Sequence, residues 1–141
     1  MTGDAGLRIK NALVSVSDKS GLEELVSYLD KNKVSIFSTG GTAKFIKSLG
    51  INVTHISEIT NFPEIMDGRV KTLNPLIYGG ILNRGSIDDH VQKEHKMVNL
   101  DLMVINLYPF EETISRKNVK ESNAIENIDI GGHQYQYFQW H

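Results

Sequence analysis

Apolar and polar positions along the chain follow two different periods in alternation. "NALVSVS", residues 11–17, places Leu13, Val14 and Val16 in a short run of strand-forming residues. In "DKSGLEELVSYLDKNK" the spacing changes. Leu22, Leu25, Val26 and Leu29 fall at i, i+3, i+4 and i+7, which makes one apolar face of a helix. Ser20 is the expected N-cap, with Glu23 three residues later to complete a capping box. The pattern then repeats. "VSIFST" reads as a second strand. "GGTAKFIKSLG" reads as a turn and a helix with Ala43, Ile46 and Leu49 on one side and Gly50 at C′. "INVTHIS" is a third strand candidate.

Strands separated by helices of this length predict βαβ units, hence an α/β fold with a mainly parallel sheet and helices on both faces. From Ile59 to Arg84 the pattern is irregular, broken by Pro63 and Pro75 and punctuated by Gly68, Gly79 and Gly80. Such a stretch is expected to bind rather than merely connect. "SIDDHVQKEHKMVN" reads as a mostly polar surface helix. "LDLMVIN" is a continuous apolar run, suited to a central strand buried on both faces. "KESNAIENI" predicts a last helix leading into "DIGG".

Length and composition narrow the class. The 141 residues suffice for one domain with a real core, and 40% hydrophobic with 23% charged residues is ordinary for a globular protein. A net charge of -2 gives no support to a nucleic-acid or anionic-membrane binder. The absence of cysteine removes disulfides, thiolate zinc sites and a cysteine nucleophile. No apolar leader is seen at the start, and no apolar run reaches membrane-spanning length, so a cytoplasmic location is expected. His90 and His95 lie five apart, off a common helical face, and show no metal-ligand spacing.

Two strand-to-helix turns carry candidate chemistry. "SVSDKSG" offers hydroxyls and Lys19, and "STGGT" offers hydroxyls and two glycines. Helix N-termini attract anions through unpaired N–H groups and the helix dipole. Two such turns at the ends of neighbouring strands would line one crevice, with a phosphate as the natural occupant. The alternative is that these residues serve only as caps and turns. "GRVKTLNP" sets Arg69 and Lys71 on one side of an extended run, where Arg grips an oxyanion with two prongs and Lys supplies charge or a proton. A solvated basic loop is the alternative. Asn106 and Tyr108 stand just past the apolar strand, where open α/β sheets bind ligands. Asp129 is a carboxylate beside the permissive Gly131 and Gly132.

"SVSDKSG", "STGGTAK", "FPEIMDGRVKTLNP", "INLYPF" and "IDIGG", in this order, resemble the N-terminal IMP cyclohydrolase domain of the bifunctional AICAR transformylase/IMP cyclohydrolase of purine biosynthesis. The resemblance runs from about Ala12 to Gly132. It implies a methylglyoxal synthase-like three-layer fold. It also implies dehydrative ring closure of 5-formamidoimidazole-4-carboxamide ribonucleotide (FAICAR) to IMP. No metal or organic cofactor is implied, and 10-formyltetrahydrofolate belongs to the transformylase domain, which has no counterpart in this sequence. The resemblance further implies a homodimer. By the same resemblance, Ser17, Asp18, Lys19, Thr39, Gly40, Gly41 and Thr42 form a ribose-phosphate cradle. Arg69, Val70, Lys71 and Thr72 form the next wall, and Ile105, Asn106, Asp129 and Ile130 face the base. Lys71 and Tyr108 would stabilise charge on oxygen, and Asp129 would orient or deprotonate the carboxamide.

The sequence departs from the family at two places. Asn74 stands where the family usually has His, and Leu76, Ile77 and Tyr78 stand where a basic residue and a second His are common. After Gly132 the family continues into an alanine-rich helix bearing a further catalytic lysine, then a strand. Here residues 133–141 read "HQYQYFQWH". The expectation is an MGS-like domain over 1–132, incomplete at its C-terminal end, and a non-family tail over 133–141. The competing expectations are a nucleotide- or phosphate-binding module without turnover, and a methylglyoxal synthase-type enzyme or effector domain of the same fold.

Overall fold

The computed structural model describes residues 8–63, 65 and 74–106. Among these residues four strands form one sheet: β1 (Asn11–Ser15), β2 (Ser35–Ser38), β3 (Thr54–His55) and β4 (Leu102–Ile105). Their order is β3-β2-β1-β4, and every pairing is parallel. Five α-helices are described between them: α1 (Leu22–Lys31), α2 (Gly40–Ser48), α3 (Ser57–Thr60), α4 (Pro75–Leu82) and α5 (Asp89–Glu94). A 3-10 turn, Gly85–Ile87, precedes α5.

Strand parity divides the core in two. Ala12, Val14 and Ile36 point to one face and pack with Leu22, Val26 and Leu29 of α1 and Ile46 of α2. Leu13 and Phe37 point to the other face, where Ile56 and Ile77 cover them. Alternating strand positions serve opposite faces, so β1, apolar at three successive residues, is buried on both. The chain steps outward from β1 to β2 to β3 with its helices on the first face. It then returns across the second face to β4 on the far side of β1. Right-handed crossovers require this change of face when the direction reverses. The result is the expected three-layer α/β arrangement, with a switch point between β1 and β4.

The helix faces follow the apolar spacing: Leu22, Val26 and Leu29 are buried and Leu25 packs partly beside them. Gly50 stands just past the Leu49 C-cap with a φ of 76°, the left-handed conformation that glycine adopts without a Cβ clash. His90 and His95 are exposed.

Four expectations need correction. The N-cap of α1 is Gly21, at φ 73°, and no side chain caps that end, so the Ser20–Glu23 capping box is not formed. Ser20 is instead drawn to Asp18, whose Oδ1 accepts from its N–H at 2.9 Å and its hydroxyl at 2.7 Å. A carboxylate is the stronger local acceptor, and it closes an Asx turn before the helix begins. β4 is an edge strand among the described residues, and all four of its residues are half-buried rather than buried on both faces. The irregular stretch contains a helix, α4, because Pro75 occupies its first position and does not break it. The polar surface helix reaches only from Asp89 to Glu94, and its Gln92 is buried.

Asn74 takes its meaning from α4. It is the N-cap, and its Oδ1 accepts from the N–H of Leu76 at 2.9 Å. Ile77, another departure from the family pattern, is fully buried in the second core. Gly80 lets α4 lie against the segment before β4, where its carbonyl accepts from the N–H of Leu100 at 2.9 Å. The helix predicted at "KESNAIENI" and the tail 133–141 lie outside the described residues.

Candidate functional site

Three chain ends meet at the carboxyl edge of the sheet. Residues 16–21 leave β1, Thr39 and the start of α2 leave β2, and Asn106 leaves β4. β1 lies between β2 and β4, so these ends are neighbours in space, at the switch point where such sheets bind ligands.

Side chains bind the three ends to one another. Ser15 and Thr39 share a hydroxyl–hydroxyl bond of 3.0 Å. The Thr42 hydroxyl accepts from the N–H of Val16 at 3.2 Å and donates to the carbonyl of Val16 at 2.9 Å. Ser38 donates to the carbonyl of Val14 at 2.6 Å. Asn106 Oδ1 accepts from the N–H of Ser17 at 2.6 Å, and its Nδ2 donates to the carbonyl of Asp18 at 2.9 Å. Ser38, Thr39 and Thr42 are buried, which a hydroxyl tolerates only when it is hydrogen-bonded.

What remains facing outward suits an anion. α2 runs for nine residues from an extended Thr39, so the helix dipole places a partial positive charge at its start. A Cβ at Gly41 would meet nothing within 4 Å among the described residues, so a ligand can approach this backbone closely. Lys19 Nζ reaches back to the carbonyl of Ser17 at 3.4 Å, which holds a cation beside the same loop. Asp18 is exposed, and the N–H of Ser20, then its hydroxyl, hold the carboxyl below its ordinary range.

The structure therefore brings together seven of the proposed cradle residues, Ser17, Asp18, Lys19, Thr39, Gly40, Gly41 and Thr42, with Ile105 and Asn106 beside them. It gives several of them a different task from direct contact: the Thr39 hydroxyl bonds the hydroxyl of Ser15, and the Thr42 hydroxyl and the Asn106 amide hold neighbouring backbone. Arg69, Val70, Lys71, Thr72, Tyr108, Asp129 and Ile130 lie outside the described residues. Two contributors, Ser15 and Ser38, open the two hydroxyl-bearing turns read from the sequence but are not among the residues assigned to the cradle. Their signal is a hydroxyl at the last residue of each of the two strands, β1 and β2.

Comparison with known proteins agrees with this architecture. The model of the MGS-like domain family matches residues 21–134. The chain belongs to the MGS-like domain family. This MGS-like domain is 51% identical over 126 residues to the bifunctional purine biosynthesis protein PurH of Xanthomonas euvesicatoria pv. vesicatoria (strain 85-10), covering 89% of the chain and 24% of that relative. PurH of Xanthomonas campestris pv. campestris (strain 8004) is 50% identical with the same coverage. The similarity lies with the N-terminal region of these proteins. The MGS-like domain thus spans about a quarter of the length of the curated relatives it matches. Among solved structures, that of ForH aligns with a TM-score of 0.74 and 29% identity, over 87% of this chain and 62% of that one.

Proposed function

We propose that this MGS-like domain acts in purine biosynthesis as an IMP cyclohydrolase, closing the second ring of FAICAR with loss of water. The observation that carries the reading is the junction of three chain ends at the carboxyl edge of the sheet, where Thr39 bonds Ser15 at the end of β1, Thr42 holds Val16, and Asn106 ties Ser17 to the end of β4. That arrangement suits the ribose-phosphate of a nucleotide. The similarity to PurH supports a purine as the remainder of the ligand.

In this reaction the carboxamide nitrogen attacks the formyl carbon, forming a C–N bond and placing charge on the formyl oxygen. That oxygen then leaves as water, and the ring becomes aromatic. Lys71 and Tyr108 are assigned to the developing oxyanion, and Asp129 to the carboxamide proton. Arg69, Val70, Lys71 and Thr72 are assigned to the wall beside the phosphate cradle, and Ile130 to the base. Both reacting groups belong to one substrate, so holding them in contact supplies much of the rate. The chemistry calls for no metal or organic cofactor. The assigned domain spans residues 1–132, with 133–141 a non-family tail, and functions as a homodimer in the cytoplasm.

The test is ultraviolet absorbance during conversion of FAICAR to IMP. The expected result is turnover by the protein and little by a Lys71→Ala variant. Equal rates for the two would overturn the assignment. Calorimetric binding of IMP without turnover would make the protein a nucleotide-binding module, and turnover of dihydroxyacetone phosphate would assign it to methylglyoxal synthase chemistry.

A further inference from the structure

We infer that Asn106 is a positioning residue for the phosphate end of the ligand, acting through the Ser17–Asp18 turn rather than by contact with a base. The inference rests on the nucleotide reading above and changes the place in the site where Asn106 exerts its effect.

The geometry is specific. Asn106 is the first residue after β4, and β4 is fixed against β1 through the pairing of Ser15 with Ile105. Its side chain therefore springs from a rigid strand end and meets the loop that leaves β1. Oδ1 accepts from the N–H of Ser17 at 2.6 Å, the hydroxyl of Ser17 at 3.1 Å and the N–H of Asp18 at 3.3 Å. Nδ2 donates to the carbonyl of Asp18 at 2.9 Å. Three donors converge on one atom and an acceptor faces the other, so the orientation of the amide is determined by its partners.

A carbonyl oxygen has two lone pairs, so three donors saturate it. No acceptor capacity is left for a substrate, and one of the two Nδ2 hydrogens is already used. The turn needs an acceptor and a donor on one short rigid plane. Aspartate has the shape without the donor, and leucine has the bulk without either. Glutamine would displace both groups by one methylene.

The consequence concerns Lys19 and the hydroxyl of Ser17. Both belong to the loop that Asn106 clamps, and Lys19 itself bonds back to the carbonyl of Ser17. Releasing the clamp frees the loop to move relative to α2, and ordering it again would cost part of the phosphate's binding energy.

The test uses the whole chain and two variants, Asn106→Ala and the similarly sized Asn106→Leu. Two measurements are made on each. The first is amide hydrogen exchange without ligand, comparing Ser17 and Asp18 with Leu13 and Val14 of β1. Faster exchange at Ser17 and Asp18, with β1 unchanged, is expected. The second is calorimetry with ribose 5-phosphate and with IMP, where both should weaken by a similar factor, about tenfold for the loss of a hydrogen-bonded clamp. A loss confined to IMP would place Asn106 at the base and overturn the inference, as would unchanged exchange at Ser17 and Asp18. If the wild-type protein binds neither compound, the nucleotide reading fails, and the phosphate role of Asn106 fails with it. The exchange result would then report the clamp alone.

Discussion

The hydroxyl of Thr42 closes a two-way bond with the peptide of Val16, accepting from its N–H at 3.2 Å and donating to its carbonyl at 2.9 Å. One side chain on the first turn of α2 thereby satisfies both polar groups of a residue that has left the ladder of β1. Thr42→Val keeps the shape and removes both bonds, leaving partly buried backbone groups without their partner. The expected loss is about 1–3 kcal/mol in urea unfolding, with Thr42→Ser much closer to the wild type. Equal stability of the valine variant would show that the stitch contributes nothing.

Asn74 caps α4 through the N–H of Leu76. Asn74→Ala is expected to cost about 1 kcal/mol of unfolding free energy, and Asn74→Asp almost nothing because aspartate caps equally well. Asn74→His, which restores the usual residue of the family, should fall with alanine, since an imidazole does not reproduce this short acceptor. Denaturant midpoints for the three variants check the order.

Gly79 and Gly80 are adjacent in α4 and face different neighbours. A Cβ at Gly80 would overlap the backbone carbonyl oxygen of Val98, which is fixed by the packing of α4 on the segment before β4. A Cβ at Gly79 would meet the end of the Met97 side chain, which has rotamers to move into. Gly80→Ala is therefore expected to destabilise by about 1–3 kcal/mol. Gly79→Ala should be near neutral, since the helix propensity gained, up to about 1 kcal/mol, offsets a small rearrangement. Thermal melting of the two variants side by side tests this, and a larger loss at Gly79 would contradict it.

Asp88 accepts from Arg84 at three points: Nε at 3.0 Å, a terminal guanidinium nitrogen at 2.7 Å and the backbone N–H at 2.8 Å. The guanidinium hydrogen bond, then the backbone one, lower its carboxyl to about 2. A carboxyl depressed on folding stabilises the folded state above its unfolded value of about 4, and loses that contribution as the pH falls through its folded value. The stability advantage of the wild type over Asp88→Asn should be constant above about pH 5 and shrink toward pH 2. Unfolding midpoints across that range provide the check, and a gap that widens on acidification would refute the assignment.

Local periodicity makes the helices α1 and α2 and the strands β1, β2 and β4 readable from the amino-acid sequence alone. Leu22, Val26 and Leu29 announce a helical stripe within eight residues, and "LMVI" announces a strand within four. The irregular stretch is harder to read because Pro75 punctuates a sequence both when it breaks a helix and when it begins one. The capping pattern misleads at Ser20 because it does not reveal that Asp18, two residues earlier, competes for the same groups. The candidate site is legible as two hydroxyl-rich turns and an Asn after a strand.

By itself the sequence determined the parallel α/β class and the residues from which a phosphate cradle could be made. It did so because side-chain period and turn chemistry act over a few neighbours. The tertiary structure decided what those residues do. The Asn106 amide meets Ser17 across 89 positions of chain, and Thr42 meets Val16 across 26. Such pairings exist only after the sheet has set β1 between β2 and β4. Hydrogen-bond partners are chosen by distance and direction in the folded protein, so residues that look like ligand contacts along the chain became the ties that hold the β1–α1 loop in place.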